Sequence, residues 1–309
     1  MSYYSKTLSL LAAAALSATQ IQAIVLPRQG SAGVTTRYYD CCKQSCSWPG
    51  KAAFSSPVTT CDINDNPLAD ANTVNGCPEL GDGNAYTCSN QVAYAVNDDL
   101  AYGFAAVSGG DEAATCCACY KLTFTSEAIA GKSMIVQATN IGYDVNNVQF
   151  DLSIPGGGVG AFPKGCTKQY NAPANGWGSS GAYGGTASRS ECDALPAKLR
   201  DGCYFRFDWF KGSDNPTVEY ERVSCPAELV AKTTCRRDDD DNYPSAFKGE
   251  ETSTTQVKVV AKSNPSPEEP TQEVYGQCAG QDYAGITECG SEAKCVFQDE
   301  WYSQCRPSF

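Results

Sequence analysis

The chain has 309 residues, 35 acidic against 23 basic for a formal charge of −12, with 18 cysteines and not one histidine. The acidic balance argues against nucleic acid and anionic membrane surfaces as partners, since both need a positive patch. Without imidazole any catalysis rests on carboxylates, and thiols in this number point to an oxidising compartment where they pair, so no metal or organic cofactor is expected.

After Lys6 an apolar run from Leu8 to Ala18 falls short of the roughly 20 residues that span a bilayer. It reads as a signal peptide over residues 1–23 for a secreted, extracellular protein, with cleavage after Ala23 and cleavage after Ala18 or trimming to Arg28 as alternatives. Asp40 follows in TRYYDCCK, between Tyr38 and Tyr39 and the cysteines Cys41 and Cys42, so disulfides fix its position at once. Gln91 to Val107 has the pattern of a partly helical segment, with Asp98 and Asp99 as structural residues because neighbours in sequence point apart. Strands are expected at Cys119–Phe124, where Tyr120, Leu122 and Phe124 alternate with polar residues, and at Ser133–Ala138.

Asp151 lies in VQFDLSIPGGGVG, at the end of an apolar segment and before a glycine run that lets a polymer approach the backbone. Apolar neighbours raise the pKa of a carboxyl, which suits a general acid. Ser188 and Glu191 have capping-box spacing for a helix that Pro196 stops, and strands are expected at Cys203–Phe210 and Thr217–Val223. The acidic run Asp238 to Asp241 reads as a solvated loop, its spacing unlike a calcium loop.

Cysteine spacing marks the domains. Fourteen cysteines lie between Cys41 and Cys235, four close the chain, and between the two sets the stretch from about Lys248 to Gln272, rich in Thr, Ser, Pro, Glu and Lys without an aromatic residue, has linker composition. The expected organisation is a catalytic domain over 31–247, a linker over 248–272 and a small module over 273–309. That module is too small to fold on apolar burial alone, so its disulfides must help, and aromatics it cannot bury are left to stack on sugar rings.

The tail residues Tyr275, Gly276, Gln277 and Cys278, then Tyr283, Gly285, Cys289 and Cys295, then Trp301 to Cys305, resemble a fungal cellulose-binding module of family 1. The resemblance implies a cellulose-binding face of Tyr275, Trp301, Tyr302 and Gln304, with disulfides Cys278 to Cys295 and Cys289 to Cys305. Ala279 stands where Gly is usual, and Asp299 where Asn is common.

TRYYDCCK, CCACYKLTF at Cys116–Phe124, FDLSIPGGGVG at Phe150–Gly160 and GCYFRFDWF at Gly202–Phe210 together resemble glycoside hydrolase family 45. The implied fold is mainly β, a six-stranded double-psi β-barrel with disulfide-tied loops, plus the small disulfide-rich β module. The implied activity is an endo-β-1,4-glucanase, a monomer acting on cellulose and other β-1,4-glucans with inversion. Asp40 matches the general base, Asp151 the general acid and Asp144 an assisting carboxylate on a flap. Thr36, Tyr38, Lys43 and Trp48 are expected groove contacts. Tyr39 stands where Trp is usual, and Gln149 where a His is common two positions before the acid. An inverting pair stands roughly 6.5 to 9.5 Å apart, leaving room for the attacking water. The rivals are a non-hydrolytic, expansin-like wall-loosening protein, which would lack the base, and a disulfide scaffold that only adheres.

Overall fold

A computed structural model describes residues 30–108, 111–142, 148–180, 185–246, 271–272, 277–281, 283, 285–290, 293–299 and 302–307. The expected signal peptide, most of the expected linker, and Asp144, Tyr275 and Trp301 lie outside them. The chain divides into two compact units, one ending at Glu250 and the other beginning at Glu251.

The first unit is built on β1 (Ser31–Tyr38), β2 (Leu100–Ser108), β3 (Cys119–Phe124), β4 (Ser133–Gly142), β5 (Gln149–Ser153) and β6 (Thr217–Val223). They run in the order β2, β4, β3, β6, β1, β5, and β5 pairs back onto β2, so the sheet closes into a six-stranded barrel without a free edge. Two of its pairs are parallel, β1 with β5 and β2 with β4. A short strand, Tyr94–Ala95, adds to the outside of β2, and a short helix, α1 (Glu112–Thr115), lies between β2 and β3.

Side chains alternate through the barrel wall. Along β2, Ala101, Ala105 and Val107 join the interior cluster with Leu122, Phe124, Met134, Phe150, Leu152 and Val218. Tyr102 and Phe104 face outward and pack with Ile135 and Leu229, the latter from α4 (Ala227–Thr233). A Cβ at Gly103 would come within 2.4 Å of the Met134 methyl, so any larger residue there requires the Met134 side chain to move.

Both faces of β2 are buried, so its sequence runs apolar without a gap, and the helix expected over Gln91–Val107 is strand instead. The opposite correction applies at Cys203–Phe210, which belongs largely to α3 (Ala197–Asp208). Its aromatics suggest a strand, yet Leu199, Gly202, Cys203, Phe205 and Arg206 are buried at helical spacing. Pro196 opens this helix, while Ser188 and Glu191 begin only a 3-10 turn, Arg189–Ala194.

All eighteen cysteines are paired. Cys41–Cys166, Cys42–Cys77 and Cys46–Cys116 tether the segment after β1, and Cys61–Cys88, Cys117–Cys235, Cys119–Cys225 and Cys192–Cys203 tie other loops. The acidic run also departs from expectation. Asp240 is fully buried, accepts the Cys225 N–H on both oxygens at 3.2 and 3.0 Å, and lies 3.7 Å from Arg222 and 3.4 Å from Arg236. A chain turn thus needs this carboxylate as an internal anchor, not as a solvated charge. Among the described residues no helix is long and apolar enough to cross a membrane.

The second unit contains β7 (Gln277–Ala279), β8 (Ala293–Asp299) and β9 (Tyr302–Pro307) in one antiparallel sheet with β9 central. Cys278 pairs with Cys295 and Cys289 with Cys305.

Candidate active site

The segment after β1 is held by three disulfides, through Cys41, Cys42 and Cys46. Tyr39 donates its N–H to Gly158 at 2.7 Å, and Ile154 donates to the Tyr38 carbonyl at 3.0 Å. The chain then turns through Cys41 with φ +65, a left-handed conformation unusual for a residue with a Cβ, held by the disulfides of Cys41 and Cys42. The turn brings the Cys42 N–H to within 2.9 Å of Asp40 Oδ1. On the far side, a Cβ at Gly165 would stand 2.3 Å from the Asp40 carbonyl and 2.2 Å from Cys77 Sγ, so α2 (Lys164–Tyr170) can pack here only through a glycine.

Burial pushes the Asp40 carboxyl up to about 7. The hydrogen bond from Cys42 opposes this, and the negative charge of Asp151 adds to it. The two carboxyls therefore lie within each other's field, although they are 111 positions apart in sequence.

Asp151 comes from the middle of β5. Phe150 and Leu152 on either side are wholly buried in the barrel interior, so Asp151 points through the other face and is half-buried. Parallel pairing sets Thr36 beside Asp151. The Thr36 hydroxyl donates to Asp151 Oδ1 at 2.8 Å, and the Gln149 side-chain amide donates to Thr36 Oγ1 at 2.6 Å. The glycine run after β5 does not face a cleft as expected. A Cβ at Gly157 would meet Tyr38 N at 3.0 Å, and Gly158 takes the Tyr39 N–H, so the run packs the exit of β5 against the Asp40 segment.

Beside Asp40 opens a cleft of about 340 Å³, lined among others by Asp40, Lys43, Trp48, Leu80, Asn140 and Phe162, with Asp151 outside its lining. Lys43 donates to the carbonyls of Ala71 at 2.7 Å and Thr73 at 2.9 Å, and its ammonium lies 3.1 Å from the Trp48 ring centroid. It thus holds the indole at the cleft wall by a cation–π contact. Burial lowers its pKa to about 8. Tyr38 accepts a hydrogen bond from Asn140 at 3.3 Å, and burial, then the charges of Asp40 and Asp151, raise its pKa well above the usual phenol value. Its phenol keeps its proton and can donate to a carboxylate or water.

Spacing in the sequence had no signal for Asn140 or Asn75. Asn140 reaches the site through an irregularity in the β2–β4 pairing, where Ala105 pairs with Ala138 but Ala106 with Asn140. Its Oδ1 accepts the Ser45 N–H at 2.9 Å, clamping the Asp40 segment to β4. Asn75 accepts from Cys77 N and donates to the Lys43 carbonyl, both within 3.0 Å. Tyr39 is buried against Cys166, Trp177 and Leu195 and serves packing. Asp99 sits in an exposed turn, its N–H on Asn97 Oδ1, remote in role from the cleft. A larger cavity of about 540 Å³ opens elsewhere, beside Asp65 and Lys232. Its Asp65 is committed to the Ser89 N–H at 2.8 Å, the Ser89 hydroxyl and Lys198 at 3.2 Å, and neither Asp40 nor Asp151 reaches it.

In the tail, Gln304 is half-buried on β9 between Gln277 and Val296. Tyr275 and Trp301 lie outside the described residues, and of Tyr302 only the backbone is described.

Residues 32–236 match the family model described as glycosyl hydrolase family 45, and residues 274–302 match the fungal cellulose binding domain. A Fusarium oxysporum protein provisionally named endoglucanase type K is 55% identical over 220 residues, which is 71% of this chain and 56% of that protein. An endoglucanase of Cryptopygus antarcticus is 51% identical over 219 residues, covering 70% of this chain and 94% of the relative. The crystal structure of a cellulase from that Antarctic springtail matches with a TM-score of 0.63 at 51% identity, over 69% of this chain and 99% of the other.

Proposed function

The chain belongs to glycosyl hydrolase family 45, and on that footing we propose how its cleft works: it is an endo-β-1,4-glucanase in which Asp40 is the general base and Asp151 the general acid. Asp151 protonates the glycosidic oxygen while Asp40 takes a proton from a water attacking the anomeric carbon from the opposite face, and the product anomer is inverted. The observation carrying this reading is the pair itself: two carboxyls on the adjacent parallel strands β1 and β5 or just beyond them, each in the other's field, with Asp40 in the cleft wall.

Trp48, braced by Lys43, offers a flat ring to a glucosyl unit, and Tyr38 orients the water or sugar between the carboxyls. Thr36 serves the acid directly. Asp144, which follows β4 in the sequence, is the assisting carboxylate. The tail holds the enzyme on cellulose through Tyr275, Trp301, Tyr302 and Gln304. The protein works outside the cell as a monomer, consistent with nine disulfides and the expected signal peptide.

Nuclear magnetic resonance of the first-formed product anomer, with Asp151→Asn alongside, tests the mechanism. The expected result is inversion by the native enzyme and loss of most hydrolysis in the variant. Retention of configuration, or full activity in Asp151→Asn, overturns the assignment. Release of no reducing ends from a soluble glucan returns the wall-loosening reading.

A further inference from the structure

Gln149 and Asp151 are two residues apart on β5, so they share a face, and the paired strand β1 places Thr36 beside them. The hydroxyl of Thr36 has one proton. Its oxygen receives the Gln149 amide at 2.6 Å, which leaves that proton for Asp151 Oδ1 at 2.8 Å. We infer that Gln149 and Thr36 form a fixed relay that aims a hydroxyl proton at Oδ1 of Asp151 and so confines the proton this carboxyl delivers to Oδ2. Both are positioning residues, and the inference rests on Asp151 being the acid.

The relay has two consequences. It gives the ionised form of Asp151 a hydroxyl donor at Oδ1, a contact that favours the charged carboxylate. It also works without titrating, whereas an imidazole in the place of Gln149 would gain charge near pH 6.5. The backbone of Gln149 is anchored as well, its N–H on the Ser108 hydroxyl at 2.9 Å. Asp40 and Tyr38 are titratable groups that feel the charge of this carboxyl. Tyr38 stays neutral, and Ala106, paired with Asp151 from β2, brings no charge.

The test is the pH dependence of kcat and KM on hydroxyethyl cellulose, an uncharged soluble glucan, for the full chain and for Thr36→Val, Thr36→Ser, Gln149→Leu and Gln149→Glu. Two coupled carboxyls give two apparent pKa values that belong to the pair, so the readout is their sum. Thr36→Val should raise that sum by about one unit, the worth of one hydrogen bond to a charged group, and lower kcat with KM unchanged. Thr36→Ser should restore the native limbs. Gln149→Leu should move the sum the same way by less, because the hydroxyl is then free to turn. Gln149→Glu should move it at least as far as Thr36→Val, since its carboxylate takes the hydroxyl proton and adds a like charge.

An unmoved sum in Thr36→Val and Gln149→Leu, with Asp151→Asn inactive, overturns the relay and leaves the enzyme reading standing. A fully active Asp151→Asn overturns that reading instead. Unmoved limbs with an altered KM would assign Thr36 to substrate contact and also overturn the relay.

Discussion

The two units solve the problem of holding a sugar polymer with opposite resources. The barrel unit has a closed sheet, an interior of Phe, Leu, Met and Val, and seven disulfides that mostly fasten loops to that frame. The tail has three short strands, and its fully buried described residues are Cys278, Ser303 and Cys305. In the tail the disulfides stand in for a core; in the barrel they sharpen a site that a core already supports. Precise proton chemistry needs the second arrangement, and adhesion to a flat surface needs only the first.

Asp151→Asn should divide the two units most sharply. Hydrolysis of hydroxyethyl cellulose should fall by about 10²- to 10⁴-fold, the usual worth of a general acid, while adsorption to cellulose, read by depletion from the supernatant, stays at the native level. The mirror experiment replaces Cys278 and Cys295 together by Ser. Losing a native disulfide costs a small secreted domain about 2–5 kcal/mol, so adsorption should disappear with soluble-substrate turnover unchanged. The matched change in the barrel, Cys192 and Cys203 to Ser, opens a loop with a sequence separation of only 11. It should cost about 3 kcal/mol and lower the Tm of the barrel without unfolding it at room temperature. Equal losses in both units would erase the distinction drawn above.

Asp40 provides two finer tests. Its folded pKa, about 7, stands above the ordinary aspartate value of 3.8, so the folded chain keeps a proton that the unfolded chain releases. The carboxyl therefore does not weaken the fold below pH 4 and weakens it progressively as pH rises through 7. Asp40→Asn keeps the acceptor for the Cys42 N–H and should stabilise the barrel at pH 8 by up to about 4 kcal/mol, with no gain at pH 4. Denaturant titrations at the two pH values check the sign. The same group sets the smallest effect: above about 7 the carboxyl pair loses its last proton, so hydrolysis should decline with an apparent pKa near that value. A profile still rising at pH 9 would contradict it.

The motifs TRYYDCCK and FDLSIPGGGVG were legible because cysteines, aromatics and glycines of that density serve few other purposes, and both segments lie where the barrel carries its carboxyls. Strands β3, β4 and β6 were legible from alternation or short apolar runs. β2 was not, because burial on both faces removes the alternation, and α3 was not, because its aromatics pack against the barrel from a helix. Asn140 and Asn75 stayed hidden for a different reason. Each acts through backbone groups of the Asp40 segment, and no local pattern records a partner that the chain meets 95 or 32 positions away. The glycine run was seen and misjudged, since spacing cannot tell which backbone will approach a glycine.

The pairing of β1 with β5 bridges 115 positions between Thr36 and Asp151, and β5 is also the strand that returns to β2 to complete the ring. Contacts this distant in sequence form late, after nearer ones have reduced the entropy of closing the loop. Asp40 and Asp151 are thus brought together by one of the long-range seams of the barrel, the pairing of β1 with β6 through Ser31 and Tyr220 being more distant still. Regained turnover on refolding should lag behind regained β-structure, making hydrolysis itself a gauge of topological completion that spectroscopy of the strands would miss.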